Sequence, residues 1–115
     1  MFNYRLPEQK NLEYVPVASR DELPPGARLR IEVDGQGIVL FNIAGTLYAI
    51  ADVCTHDDGP LGEGTLEGLG LECPRHGARF DLASGRALTL PAVVDIPAYP
   101  VRIVGTQVEL GLPTD

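Results

Sequence analysis

A chain of 115 residues, 44% of them hydrophobic, is long enough for one modest core and too apolar for intrinsic disorder. Nine basic residues against 16 acidic ones give a net charge of −7, which sets the chain against nucleic acid and anionic membrane surfaces. No apolar run approaches the length of a membrane-crossing helix. Residues 1–11, with Arg5, Glu8 and Lys10, lack the apolar stretch of a secretory signal, so the expected location is the cytoplasm.

Helical periodicity is nearly absent, while Gly 13 and Pro 10 point to many turns. Residues 1–11 are expected to form a flexible N-terminal tail. Leu12 to Val17 alternates weakly, with Pro16 marking an edge strand or strand end. Ser19-Arg20-Asp21-Glu22 predicts a short helical turn that Pro24-Pro25-Gly26 stops. Leu29, Ile31 and Val33 alternate with Arg30 and Glu32 as a half-buried strand does, and Asp34-Gly35-Gln36-Gly37 reads as a turn. Ile38 to Ile43 and Leu47 to Val53 form a strand pair around Ala44-Gly45.

From residue 54 to 77 the character changes to Gly, acid and isolated apolar residues, the mark of a loop-rich insertion. Two further hairpins are expected. Arg79–Leu82 and Arg86–Leu90 flank Ala83-Ser84-Gly85, and Tyr99–Val104 and Gln107–Leu110 flank Gly105-Thr106. Pro113-Thr114-Asp115 is expected to fray. The fold class is therefore all-β, an antiparallel sandwich or barrel forming a single domain over residues 1–115. Its loop-rich, ligand-bearing lobe spans roughly residues 51–91.

Both cysteines and both histidines of the chain fall into two short clusters, Cys54-Thr55-His56 and Cys73-Pro74-Arg75-His76. A Cys54–Cys73 disulfide is disfavoured in a cytosolic chain, and two buried apolar cysteines with chance neighbours are a plainer possibility. A single Cys–His nucleophile would leave the second cluster unexplained. Structural zinc suits two Cys and two His, but zinc fingers usually separate the two types and set the His pair on a helix. A two-iron cluster explains the mixing, because one iron takes both thiolates and the other both imidazoles. The four residues are thus candidate ligands of one [2Fe–2S] cluster per chain, with zinc the alternative.

No Lys or Arg occurs between Arg30 and Arg75. That window holds Glu32, Asp34, Asp52, Asp57, Asp58, Glu63, Glu67 and Glu72 and includes the first Cys/His cluster. It reads either as a solubilising face or as a field that steers a basic partner toward the site.

The sequence resembles the Rieske family. The resemblance rests on Cys54-Thr55-His56, Gly59-Pro60-Leu61, Gly64 and Cys73-Pro74-Arg75-His76-Gly77. It continues through Phe80-Asp81, Ser84-Gly85, Pro91-Ala92 and Tyr99-Pro100-Val101. Within the family it is most similar to the stand-alone ferredoxin components of bacterial ring-hydroxylating dioxygenase systems. These pass electrons from an NAD(P)H-dependent flavoprotein reductase to a terminal non-haem iron oxygenase. The resemblance implies that Cys54 and Cys73 bind the inner iron, and that His56 and His76 bind the outer iron through Nδ1.

It implies further that Gly59 and Gly77 either turn backbone N–H groups toward cluster sulfurs or are ordinary turn glycines. Pro60, Leu61 and Pro91 either shield the cluster or pack a loop. Gly59 and Arg75 stand where high-potential members carry a second Cys pair, and Ala78 and Phe80 where those members carry hydroxyl donors, so a low potential is expected. With no room for an oxygenase domain and no spare His, the chain is expected to be an electron carrier and no enzyme. A small subunit of a nitrite-reductase-like complex and a ferredoxin of cluster biogenesis are the alternative contexts.

Overall fold

In the computed structural model, which describes residues 12–53, 60–74, 77–89 and 94–113, ten short strands form three antiparallel sheets. The first sheet sets β1 (Leu12–Ser19) against β10 (Gln107–Pro113), which pairs on its other side with β9 (Val101–Val104). The second runs β2 (Arg28–Val33), β3 (Gln36–Ile43), β4 (Thr46–Ala51) and β8 (Ala98–Tyr99). The third and smallest joins β5 (Thr65–Glu67), β6 (Gly70–Glu72) and β7 (Arg79–Asp81).

The second sheet is the middle layer, and β3 shows why. Its run Ile38-Val39-Leu40-Phe41 carries no polar alternation because both faces are buried. Ile38 and Leu40 pack with Ala49, Tyr99 and Leu110 toward the first sheet. Val39 and Phe41 pack with Ile50, Leu71 and Phe80 toward the small sheet. Burying a large side chain of this kind is worth about 1.5–3 kcal/mol, so β3 ties both cores together.

Turn chemistry sets the registers. Ser19 caps a single 3-10 turn, Arg20–Glu22, through a reciprocal capping box with Glu22, and Pro24-Pro25-Gly26 follows as expected. Two-residue loops at Asp34-Gly35 and Ala44-Gly45 have positive φ at both central residues, as type I′ hairpins require. Gln36 and Gly37, expected in the turn, already belong to β3; the side chain of Arg30 lies over Gly37, where a Cβ would come 2.5 Å from its guanidinium. Ala44, at φ +55°, is poorly suited to its left-handed position. Ala44→Asn is expected to stabilise the protein by about 0.5–1 kcal/mol in urea unfolding, because Asn tolerates that conformation.

Four sequence expectations are corrected. The insertion at 54–77 is not loop alone: β5 and β6 lie inside it, with Leu66 opposite Leu71 and Leu71 opposite Phe80. Strands of three residues are too short to display alternation. The run Tyr99–Val104 is split at Pro100, so that β8 joins the middle sheet and β9 the first. Pro113 is paired opposite Leu12 at the end of β10. The expected strand after Ser84-Gly85 is reduced to one bridge between Phe80 and Ala87. Residues 1–11, expected as a tail, lie outside the described residues, as do Thr114 and Asp115. Among the described residues, no helix is long and apolar enough to cross a membrane.

Candidate metal centre

Cys73 sits at the tip of the β6–β7 hairpin. Glu72 and Arg79 face each other across the ladder, and residues 73–78 connect them. Cys73 N–H donates to the Ala78 carbonyl at 2.7 Å, and Gly77 N–H to the Cys73 carbonyl at 3.0 Å. Gly77, at φ +78°, makes the chain reversal. Its N–H is engaged by the Cys73 carbonyl. Cys73 itself is only 1% exposed, packed with Leu61, Leu71, Ala78 and Phe80.

The first Cys/His stretch is framed by residues that reach the same core. Val53, next to Cys54 in sequence, packs against the cluster that contains Cys73, and Leu61 is a fully buried member of it. Of the expected shielding residues, Leu61 is buried in the same core as Cys73, while Pro60 is exposed. Gly64 lies so close to β6 that a Cβ there would overlap the Glu72 carbonyl oxygen and stand 3.0 Å from its carbon. The bases of the two ligand-bearing stretches are thus in contact. Cys54, His56, Gly59, His76, Arg75 and Pro91 lie outside the described residues.

The donors fit a soft metal centre. The Cys73 thiol is buried on a tight hairpin tip, and thiolate and imidazole are the donor types that suit such a centre. Ala78 and Phe80 are both fully buried and offer no side-chain donor beside Cys73.

Three polar residues that sequence reasoning left unassigned support the first stretch. Asp52 Oδ1 accepts the N–H groups of Leu61 (2.8 Å) and Gly62 (2.6 Å), and Oδ2 accepts Arg30 Nε at 2.7 Å. Burial pushes its carboxyl upward. The hydrogen bond from Arg30, the two backbone N–H groups and the charge of Arg30 outweigh that and hold it below the usual carboxylate range. Arg28 Nη1 donates to the carbonyls of Gly62 and Gly64, both at 2.7 Å. The available signal was the period-2 spacing of Arg28 and Arg30, which sets both on one face of β2.

These pairings shrink the acidic field. Asp52 is bonded to Arg30 with its side chain 3% exposed, and Glu67 is bonded to Arg79. Glu32, Asp34 and Glu63 are exposed, and Asp57 and Asp58 lie outside the described residues.

Residues 13–100 match the Rieske [2Fe–2S] domain family. The chain belongs to that family. As a Rieske protein it holds one [2Fe–2S] cluster. It is 42% identical over 99 residues to the ferredoxin component of the 2,4-dinitrotoluene dioxygenase system of Burkholderia sp. (strain RASC), covering 86% of this chain and 95% of that one. Its fold is similar to the ferredoxin of carbazole 1,9a-dioxygenase from Nocardioides aromaticivorans IC177, with a TM-score of 0.78 and 34% identity. That match covers 84% of this Rieske chain and 95% of the other. A second similar structure is the ferredoxin-matching chain in a complex of reduced oxygenase and oxidized ferredoxin of carbazole 1,9a-dioxygenase. Its TM-score is 0.76 at 28% identity, covering 84% of this chain and 91% of that one.

Proposed function

We infer that this protein is a one-electron carrier, the ferredoxin component of a dioxygenase-type system, and not itself a catalyst. The observation that carries the reading is the nearly complete two-way overlap with ferredoxin components, 86% of this chain against 95% of one relative and 84% against 95% of one solved structure. A terminal non-haem iron oxygenase is the acceptor and an NAD(P)H-dependent flavoprotein reductase the donor, both in the cytoplasm.

Cys54 and Cys73 would hold one iron as thiolates, and His56 and His76 the other as neutral imidazoles through Nδ1. When bound, the cluster supplies a centre that takes up and releases one electron. The protein's own part is to exclude water on the Cys73 side, where Leu61, Leu71 and Phe80 are fully buried. With Ala78 and Phe80 unable to donate, the reduced cluster receives less stabilisation from hydrogen bonds. The midpoint potential is accordingly placed near the low end of the Rieske range, about −150 mV.

Both partners are proposed to present basic patches around their own cofactors. Weak redox complexes use small interfaces, and charge raises their association rate. The test is anaerobic stopped-flow reduction of the holoprotein by an NADH-dependent flavoprotein reductase across a salt series. The second-order rate should fall as salt rises, since screening acts over about 8 Å at physiological ionic strength. Asp57→Asn with Asp58→Asn should slow the reaction at low salt and flatten that dependence, with the potential measured in parallel. Rates indifferent to salt would leave the acidic residues as a solubilising face. No electron uptake from any flavoprotein reductase, or transfer of the intact cluster to apo-acceptors, would favour the biogenesis context.

A further inference from the structure

Asp52 is a charged side chain almost wholly withdrawn from water, and it serves no core. Its two oxygens take one guanidinium and two backbone N–H groups, while its own N–H donates to the Gly37 carbonyl at 2.9 Å. Burying a carboxylate is costly unless it is hydrogen-bonded on all sides, and charge-assisted bonds of this kind are the strong ones. What the arrangement achieves is a closure. It joins residue 52 to residues 61 and 62, and Cys54 and His56 lie on the chain between them.

A second side chain completes the same closure from the other direction. Arg28 donates to the carbonyls of Gly62 and Gly64, and Gly64 N–H returns to the Leu61 carbonyl at 3.0 Å. The turn Leu61–Gly64 thus has N–H groups fixed by Asp52 and carbonyls fixed by Arg28. Arg28 stands on β2 of the middle sheet, and Asp52 directly follows its β4. Arg28 is further seated over the buried Phe41 ring, 5.3 Å from its centroid. Gly62 leaves room for the contact, since a Cβ there would come 3.1 Å from Asp52 Oδ1.

We propose that Asp52 and Arg28 are positioning residues that fix the ends of the first ligand loop to the middle sheet, so that Cys54 and His56 are held for the cluster. The proposal builds on the ligand assignment of the preceding section. It adds that the first loop is braced by side chains remote from iron, whereas the second is braced by its own hairpin hydrogen bonds. Loss of such supporting partners typically lowers metal retention about 10–100-fold.

The test measures cluster loss from holoprotein in excess chelator, followed by bleaching of visible absorbance well below the unfolding temperature. Asp52→Ala should bleach about tenfold faster than wild type and broaden the electron paramagnetic resonance lines of the reduced cluster. Asp52→Asn should restore most of the retention. Its amide oxygen still accepts Leu61 and Gly62, and Arg30, with its side chain 57% exposed, is free to turn to solvent. Leu110→Ala, in the core on the far side of the middle sheet, serves as a control for general destabilisation and should bleach at close to the wild-type rate. If Asp52→Ala is poorly expressed, Arg28→Met removes only the two carbonyl bonds and should also speed loss.

Wild-type retention in both Asp52→Ala and Arg28→Met would overturn the proposal. So would bleaching rates that simply follow melting temperature across all variants, Leu110→Ala included. The ligand assignment fails separately, on undiminished cluster content in Cys54→Ser.

Discussion

Cys73→Ser is expected to abolish the cluster, taking iron and acid-labile sulfide from about two each per chain to near zero. The thiolate is the species that binds iron, and a serine hydroxyl is far too weak an acid to replace it at neutral pH. The site gives the substitution no escape. Cys73 is 1% exposed at a hairpin tip whose backbone is closed by the bonds to Ala78 and Gly77, and among the described residues its packing partners Leu61, Leu71, Ala78 and Phe80 carry no metal ligand. The new hydroxyl would also sit in an apolar cluster, which costs about 1–3 kcal/mol where it finds no partner. Cys73→Ala separates the two effects, because it removes the ligand without adding a polar group. Both variants should lose colour, and only Cys73→Ser should melt earlier for the added reason. Cys54→Ser should behave alike, and His56→Ala and His76→Ala should lose the cluster or hold it labile. Iron analysis that found two irons in either Cys73 variant would remove that residue from the ligand set.

The candidate ligand pattern stands out in the sequence because the residue types are rare and grouped. Two Cys and two His in a chain of this length, each stretch holding one of each, exclude most other arrangements. The hairpins at Asp34-Gly35, Ala44-Gly45 and Gly105-Thr106 were legible for a related reason, since their turn chemistry is local. What escaped was non-local. Asp52 reads as one more acid in an acidic window, and Arg28 and Arg30 as the polar side of a strand. Their roles depend on β2 lying two strands from β4 with the loop at 61–64 folded back between them. The three-residue strands β5 and β6 were missed because their evidence is the cross-strand row Leu66, Leu71 and Phe80, which no single segment displays. Pro100 was visible, but only the packing of the first and middle sheets shows that it hands the chain from one to the other.

Gly64→Ala is expected to destabilise the protein by about 3 kcal/mol or more, above the usual cost of one added methyl in a packed site. Gly64 is not one of the positive-φ glycines, so its requirement is space and not backbone freedom. The new Cβ would overlap the Glu72 carbonyl oxygen, and neither side is placed to yield. On one side Gly64 is bonded through its N–H to Leu61 and through its carbonyl to Arg28. On the other, Glu72 is held in β6 between Thr65 and Arg79. Relief therefore means moving the base of the first ligand loop away from the strand that leads into Cys73, and cluster content should fall with stability. Gly68→Ala is the matched comparison, because a Cβ there meets nothing within 4 Å while its φ is +62°. It should cost only the left-handed backbone term, about 1 kcal/mol, and keep the cluster. Urea unfolding and iron analysis of the two variants side by side decide the matter. Equal costs, with iron retained in both, would mean that the two loop bases are not in the close apposition on which a shared cluster depends.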